Sequence, residues 1–406
     1  MTFEEFKQEV SENIKDYLPK EYEKGEVAIN DVIKNNDMHL SGLTIRLEEN
    51  PLTPTVYLED FYRQMEEGDF TFSETMEKIS TIYDTAMHND IAKNASDIVE
   101  NITDYEATKD KILPRVVNKE ANEERLKGMP HTEMGDLAVT YHVDLGKEND
   151  GAMSVAISNE MMDRYGISVE ELHDQACENM ENLTPTQVKS MRDTLLEIMV
   201  PGYADMSEEE RNEAAYQMGF DDMPQDAMYV ISNTEKSFGA AALLDSESLD
   251  QIEEKIGKFY ILPSSVHECI LVPKTAEMDL SALEAMVQEV NSTQVAPSEV
   301  LSDHVFAYDS ETKEIYRADL EAEHVKEKES RMTEEKTEKS EKPVKPKSTG
   351  LTDILTENKA VKEEKPERPS LKAKLEEKKK ESKELSKEKK EKEIGRNTPE
   401  KGGVAL

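Results

Sequence analysis

Cysteine is scarce in this 406-residue chain: Cys177 and Cys269 are the only two, too few for a disulfide framework and in no zinc-binding spacing. Its 16 glycines are spread thinly, and neither Walker nor Rossmann spacing occurs among them. The patterns HExxH, CxxC and GxSxG are also missing, which removes the commonest nucleotide, zinc-protease and α/β-hydrolase readings. No window approaches 18 consecutive apolar residues, so no membrane span is expected. The opening MTFEEFKQEV lacks the basic and apolar regions of a signal peptide, which leaves a cytoplasmic protein as the expectation.

Basic residues are scarce before position 321. Residues 1–320 hold 26 Lys+Arg against 68 Asp+Glu, a net of −42, whereas residues 321–406 hold 24 against 21, a net of +3. A surface this negative repels nucleic-acid phosphate and anionic lipid, because both are bound by displacing counterions with Lys and Arg. Acidity of this kind favours solubility, and it suits docking on a basic protein partner.

What is present is regular hydrophobic patterning. Phe3, Phe6, Val10, Ile14 and Tyr17 mark one face of an opening helix that ends before Pro19. Strands are predicted at 26–33 and 40–47, then helices patterned on Tyr57, Phe61 and Met65, on Phe72, Met76, Ile79 and Tyr83, and on Ile91, Ala95, Ile98 and Ile102. Leu137, Val139, Tyr141, Val143 and Leu145 alternate with Ala138, Thr140, His142 and Asp144, the period of a strand with one polar face. Met153, Val155 and Ile157 repeat the alternation across GKENDG, which predicts a hairpin. Ser168 and Glu171 form a capping box for a helix. Thr184-Pro185-Thr186-Gln187 reads as another helix start, with Val188, Met191, Leu195 and Ile198 as its buried stripe.

Residues 228–274 are the most apolar stretch and read as strand, turn, strand, helix, strand, turn, strand. Tyr229–Ser232 and Gly239–Leu244 make the first hairpin, Asp245 and Ser246 cap the helix, Gly257 ends it, and 259–262 and 269–272 make the second pair. A capping box at Ser281 and Glu284 and a hairpin from 304–309 to 314–318 follow.

The pattern predicts an α+β protein whose mixed or antiparallel sheet segments, at 25–48, 136–158 and 228–318, pack with helices. Its divisions are 1–109, 110–200, an acidic Met-rich connector at 201–227, 228–320, and a Lys/Glu-rich tail at 321–406. The tail, interrupted by Pro343, Pro346, Pro366, Pro369 and Pro399, is expected to be disordered or partly helical, with 371–392 its helical part and Leu351–Leu355 a short docking run.

One cluster offers chemistry: Ser264-Ser265-Val266-His267-Glu268-Cys269. On a strand His267 and Cys269 share a face about 7 Å apart, where they could serve nucleophilic catalysis or hold a metal with further ligands. The alternative is a small buried thiol beside a structural histidine. His131, in the loop after Pro130, is the third candidate, and His142 and His173 are further histidines that the fold could bring in. No cofactor and no metal site is otherwise expected.

Several phrases resemble the bacterial family of domain of unknown function 5688, from Firmicutes. They are FEEFKQEV, NNDMHLSGLTIR, NEERLKGMPH, DLAVTYHVDLG, GISVEELHDQACENM, FGAAALLD, FYILPSSVHECILVP and VNSTQVAPSEVLSDHVFAYD, within the first 317 residues. The resemblance implies no activity and no catalytic residues. The phrase from Asp136 to Met180 is similar to a second uncharacterised Firmicutes family, and RPSLKAKLEEKKKE in the tail is similar to endings of accessory proteins of integrative and conjugative elements.

Three functions are therefore expected in order of preference. The first is a non-enzymatic cytosolic accessory protein, of a mobile genetic element, docking through its acidic surface. The second is an enzyme with a His/Cys site at His267 and Cys269. The third is a nucleic-acid factor acting through the Lys-rich tail, against which the interleaved glutamates count.

Overall fold

Three antiparallel sheets and the helices between them build the chain, in a computed structural model that describes residues 1–340 apart from 49–52, 89–93, 149–150, 221–223, 225–226 and 276–278. The predictions at 371–392 and Leu351–Leu355 lie outside the described residues.

The first sheet joins β1 (Glu26–Ile33), β2 (His39–Arg46) and β3 (Val56–Tyr57). Helix α1 (Phe3–Tyr17), α2 (Glu59–Glu67) and α3 (Phe72–Met87) pack against it, and Phe6, Val10, Ile14, Leu43, Ile45, Met76 and Ile79 form its core. Thr2 with Glu5 and Thr71 with Glu74 close capping boxes on α1 and α3, so two of the free amide donors at each helix start are satisfied. Of the third helix predicted here, Ala95–Ile102 is present (α4).

The β1–β2 turn carries the polar tripeptide Asn35-Asn36-Asp37, with Asn36 and Asp37 in left-handed backbone. Asn36 donates to the carbonyls of Pro297 and Val300 and exchanges hydrogen bonds with the buried Asn122. The Asp37 carboxylate accepts from the amides of Glu124 and Arg125 at 2.7 and 2.9 Å. This one turn ties the first core to the next.

The second sheet orders β4 (Ile112–Asn118), β6 (Leu137–Glu148) and β5 (His131–Met134), with β7 (Gly151–Ala156) also paired to β6. The alternation predicted for 137–145 holds: Leu137, Val139, Tyr141 and Val143 enter the core, and Thr140, His142 and Asp144 lie on the opposite face. Helix α5 (Asn159–Tyr165) and α6 (Val169–Leu183) follow, and α6 buries Leu172, Ala176 and Met180 in the same core.

The third sheet runs β13 (Glu314–Arg317), β12 (Phe306–Asp309), β10 (Phe259–Pro263), β11 (Cys269–Pro273), β9 (Tyr229–Asn233) and β8 (Thr186–Ser190). Both faces are covered, which is why its strands read as continuous apolar runs. Phe259, Ile261, Cys269 and Leu271 join the core shared with the second sheet, and Tyr260, Leu262 and Val272 meet the helix Leu280–Thr293 on the other side. The divisions drawn at 109/110 and 227/228 fall inside one folded unit, Met1–Glu341.

The structure departs from the sequence reading at several places. Tyr57, read as helical, lies in β3, and the helix begins at Glu59. Gly239–Leu244, read as a strand, is a 3₁₀ helix, and β9 pairs with β8 and β11 instead. Residues 186–190, read as helix, are strand β8; the helix starts at Met191 under a Ser190 cap, buries Leu196 and leaves Ile198 75 % exposed. The helix at Leu280 is capped by Asp279, not by the Ser281–Glu284 pair, and Met286 is exposed. Strands β3, β4 and β5 were not foreseen. Finally, order does not stop at 320. The helix Glu321–Ser340 returns to the body, where His324 and Lys328 meet Asp309 at 3.1 and 2.7 Å and Arg331 meets Glu314 at 2.5 Å.

Candidate functional site

The polar face of β6 is the floor of a cavity of about 390 Å³. Register places Arg115 on β4 opposite Thr140, Leu113 opposite His142, and Ser154 on β7 opposite Asp144, so these side chains share one face. The roof is the loop after β9, from Asn233 to Phe238, which the Gly239–Leu244 helix holds down.

Arg115 is the cavity's central group. Its guanidinium lies 3.5 Å from the centre of the Phe238 ring and donates to the Ser154 hydroxyl at 2.6 Å. Among the described residues it makes no direct ion pair, although the Asp144 carboxylate on the same cavity wall is near enough to favour its charge. Burial, and then the neighbouring Arg125, pull its pKa down to about 10, which leaves it cationic at neutral pH. A largely desolvated cation over an aromatic face is stabilised by about 2 kcal/mol. His142 is buried beside it, within 3.2 Å of the Thr140 hydroxyl. Burial and the charges of Arg115 and Arg125 hold this histidine well below its usual range, so the imidazole is neutral.

Phe238 is held against Arg115 in a costly backbone conformation. Its φ is 51°, and a bulky side chain in left-handed backbone costs on the order of 1–3 kcal/mol. Three contacts fix it. The Phe238 amide donates to His267 Nδ1 at 3.1 Å, the Asn233 side chain donates to the Ser237 carbonyl at 2.9 Å, and the Ala240 amide donates to the Val266 carbonyl. Gly239 is required because a Cβ there would lie 2.1 Å from Ser232 Oγ and 2.5 Å from the His267 carbonyl oxygen.

The three predicted site residues are dispersed. His267 supports the roof: its Nδ1 accepts from the Phe238 amide, its ring lies 5.4 Å from the Phe238 ring, and its Nε2 is 3.5 Å from Glu299. Cys269, two residues on, is fully buried within β11, and burial pushes its thiol far up, so it stays protonated. His131 is on β5 in another sheet, bonded to the Met129 carbonyl at 3.1 Å. The pair His267 and Cys269 thus splits between the cavity's support and the core.

A different Cys/His pair forms on α6. Cys177 Sγ is 3.6 Å from His173 Nε2, His173 Nδ1 is 3.0 Å from the Tyr141 hydroxyl, and that hydroxyl is 2.6 Å from Thr132. Its signal in the sequence was the i, i+4 spacing of His173 and Cys177. Burial, with Asp174 and Glu181 adding to it, pushes the Cys177 thiol up to about 11, and a protonated thiol is a poor nucleophile. His173 borders a second cavity of about 640 Å³, walled by Tyr316, Arg317, His324 and Arg331.

Among the described residues, two groups bring three metal-type donors within 4.8 Å of one another, Glu21 with Asp84 and His88, and Glu284 with His304 and Asp319. In the second, Asp319 already accepts from Arg317 at 2.8 and 3.1 Å. No described helix is long and apolar enough to cross a membrane.

Residues 3–310 match the profile of a family of unknown function, DUF5688. The chain belongs to this family. The match takes in both walls of the Arg115 cavity and stops before the helix Glu321–Ser340. No curated protein and no solved structure matches this DUF5688 chain.

Proposed function

We propose that the protein works by binding rather than by catalysis, as an interaction protein that docks on a basic protein partner. Arg115 carries this reading: a largely buried cation, fixed by Phe238 and Ser154 and without a direct ion pair among the described residues, faces a cavity in an otherwise acidic body. Buried charges are ordinarily paired directly, so a fixed one with no carboxylate in direct contact is suited to meeting a charge brought by a ligand. The net of −42 over residues 1–320 supports a basic partner, which such a surface would attract over a distance.

The chemistry of the candidate catalytic groups agrees with binding. Cys269 and Cys177 are protonated thiols, and His267 uses Nδ1 to hold a backbone amide. A nucleic-acid role for the tail gains no support from its described part, where Lys328 and Arg331 are engaged by Asp309, Glu311 and Glu314. We place the protein in the cytoplasm, as an accessory factor of a bacterial mobile element. The motive for that setting is the tail's similarity to endings of such factors.

The test is co-purification of the full chain from its host at about 0.15 M salt and again at about 0.5 M, where charges farther apart than a few ångströms are screened. A basic protein retained at the lower concentration and released at the higher is the expected result. Retention of no protein at the lower concentration would overturn the reading.

A further inference from the structure

We propose that the Arg115 cavity recognises a carboxylate carried beside a positive charge, the chemistry of the C-terminal residue of a basic polypeptide. The inference rests on the binding reading above and names the group that enters the site.

The guanidinium sets the anion. It offers five N–H donors in a rigid plane, and one hydrogen bond, to Ser154, is formed among the described residues. The Phe238 ring covers one face of that plane at 3.5 Å, so an anion meets the guanidinium at its edge, where a planar carboxylate pairs through two parallel bonds. The clamp is built by folding, through His267, Asn233 and Gly239, so the donors are already oriented when a ligand arrives.

The rest of the lining sets what accompanies the carboxylate. Asp144, whose charge already acts on Arg115, borders the same cavity, opposing a second negative charge and favouring a cation next to the first. A phosphate, with up to two negative charges and a single guanidinium to receive it, fits less well. Leu113, Leu183 and Ala241 supply apolar wall for an aliphatic stem such as that of lysine. A volume of about 390 Å³ admits one or two residues rather than a folded segment. Chain termini are a recurrent target of sites that read one carboxylate. A free amino acid shares this chemistry, and the acidic body favours the basic polypeptide, which brings further positive charge.

The experiment measures binding to the full chain, at about 0.15 M salt, of a dye-labelled peptide Lys-Lys-Leu-Lys with a free carboxyl end, and of the same peptide as its C-terminal amide. The free acid is expected to bind at least about tenfold more tightly, the worth of one charge-assisted pair. Arg115→Gln should abolish that difference, and Arg115→Lys should remove most of it, because a point charge does not reproduce the fork. Asp144→Asn leaves Arg115 in place and should lower the preference for a terminal lysine over a terminal alanine, without removing the acid-over-amide difference. Free lysine should compete only weakly against the peptide. Equal binding of acid and amide by the unmodified protein would overturn the carboxylate site, and salt-sensitive binding of both would leave the acidic-surface reading standing. Saturable binding of free lysine, measured directly by calorimetry, with neither peptide bound, would assign the cavity to a free amino acid and overturn the chain-terminus proposal.

Discussion

Gly239 has a φ that any residue could adopt, yet it has no room for a side chain. An added methyl group would meet the Ser232 hydroxyl, the His267 carbonyl oxygen and the Asn233 amide nitrogen at 2.1, 2.5 and 2.7 Å, and two of these are backbone. Gly239→Ala is therefore expected to destabilise the protein by about 3 kcal/mol, the upper range for overpacking, and to displace Phe238 from Arg115. Urea unfolding measures the first effect; a loss below about 0.5 kcal/mol, typical of surface changes, would contradict the packing described here.

His142 makes a prediction with a sign. Burial, followed by Arg115 and Arg125, depresses its folded-state value, so the unfolded chain binds this proton more readily. The neutral imidazole is fully compatible with folding above the ordinary value of about 6.5, and stability falls as pH drops below it, by at most about 1.4 kcal/mol per pH unit. His142→Gln should flatten that part of the decline between pH 7 and pH 5 in urea unfolding. An identical pH dependence in both proteins would mean that His142 takes up its proton within the folded state.

At the scale of elements, the helix beginning at Glu321 turns on Asp309. Burial alone would raise the Asp309 carboxyl, but the hydrogen bonds from Lys328 and His324 outweigh it and hold the group well below the usual carboxylate range. A lowered folded-state value stabilises above the ordinary value near 4 and is lost as pH falls below it. Amide hydrogen exchange over 321–331 should accelerate on going from about pH 5 to pH 3 relative to the sheet strands, after correction for the intrinsic rate. Asp309→Asn should accelerate it already at neutral pH. Protection that stays equal in the variant would show that the helix is held by other contacts.

This helix also marks where sequence patterning lost its force. Lys, Glu and Ser dominate 321–340 as they do the rest of the tail, and no apolar stripe announces a docked face; its anchors are ion pairs to residues far away in the chain. Strand β6 was legible because its two faces differ, and its polar face proved to be the cavity floor. Strand β4 was missed because a proline and an arginine interrupt ILPRVV, although that arginine is the one on which the cavity centres. The Gly239–Leu244 run was misread because small apolar residues suit a buried strand and a buried 3₁₀ helix equally, and only the left-handed Phe238 separates them. His267 was singled out for a reaction. Its place at the site comes from a backbone amide 29 residues away, which no local pattern discloses.

Across the whole molecule, the α+β class followed from periodicity, since each sheet has at least one strand whose apolar residues recur at a clear spacing, whereas the separation of the sheet-forming stretches into three sheets did not. The shared core of the second and third sheets did not follow, because long-range packing leaves no mark on local spacing. The charge balance was read from composition directly, and it sets the electrostatic setting of the site: an oriented cation, with Arg125 near it, inside a body that repels anions. Such an arrangement disfavours free anions at long range and favours a carboxylate delivered on a positively charged chain.

In the binding proposed here, Arg115 is the group that receives that carboxylate. Its guanidinium can be followed directly by the Nε–Hε resonance in nitrogen-15 spectra of the full chain, assigned by its loss in Arg115→Lys. Addition of Lys-Lys-Leu-Lys with a free carboxyl end should shift this resonance saturably, and the C-terminal amide should leave it near its starting position. A resonance that moves equally with both peptides, or with neither while the free-acid peptide binds, would contradict the account.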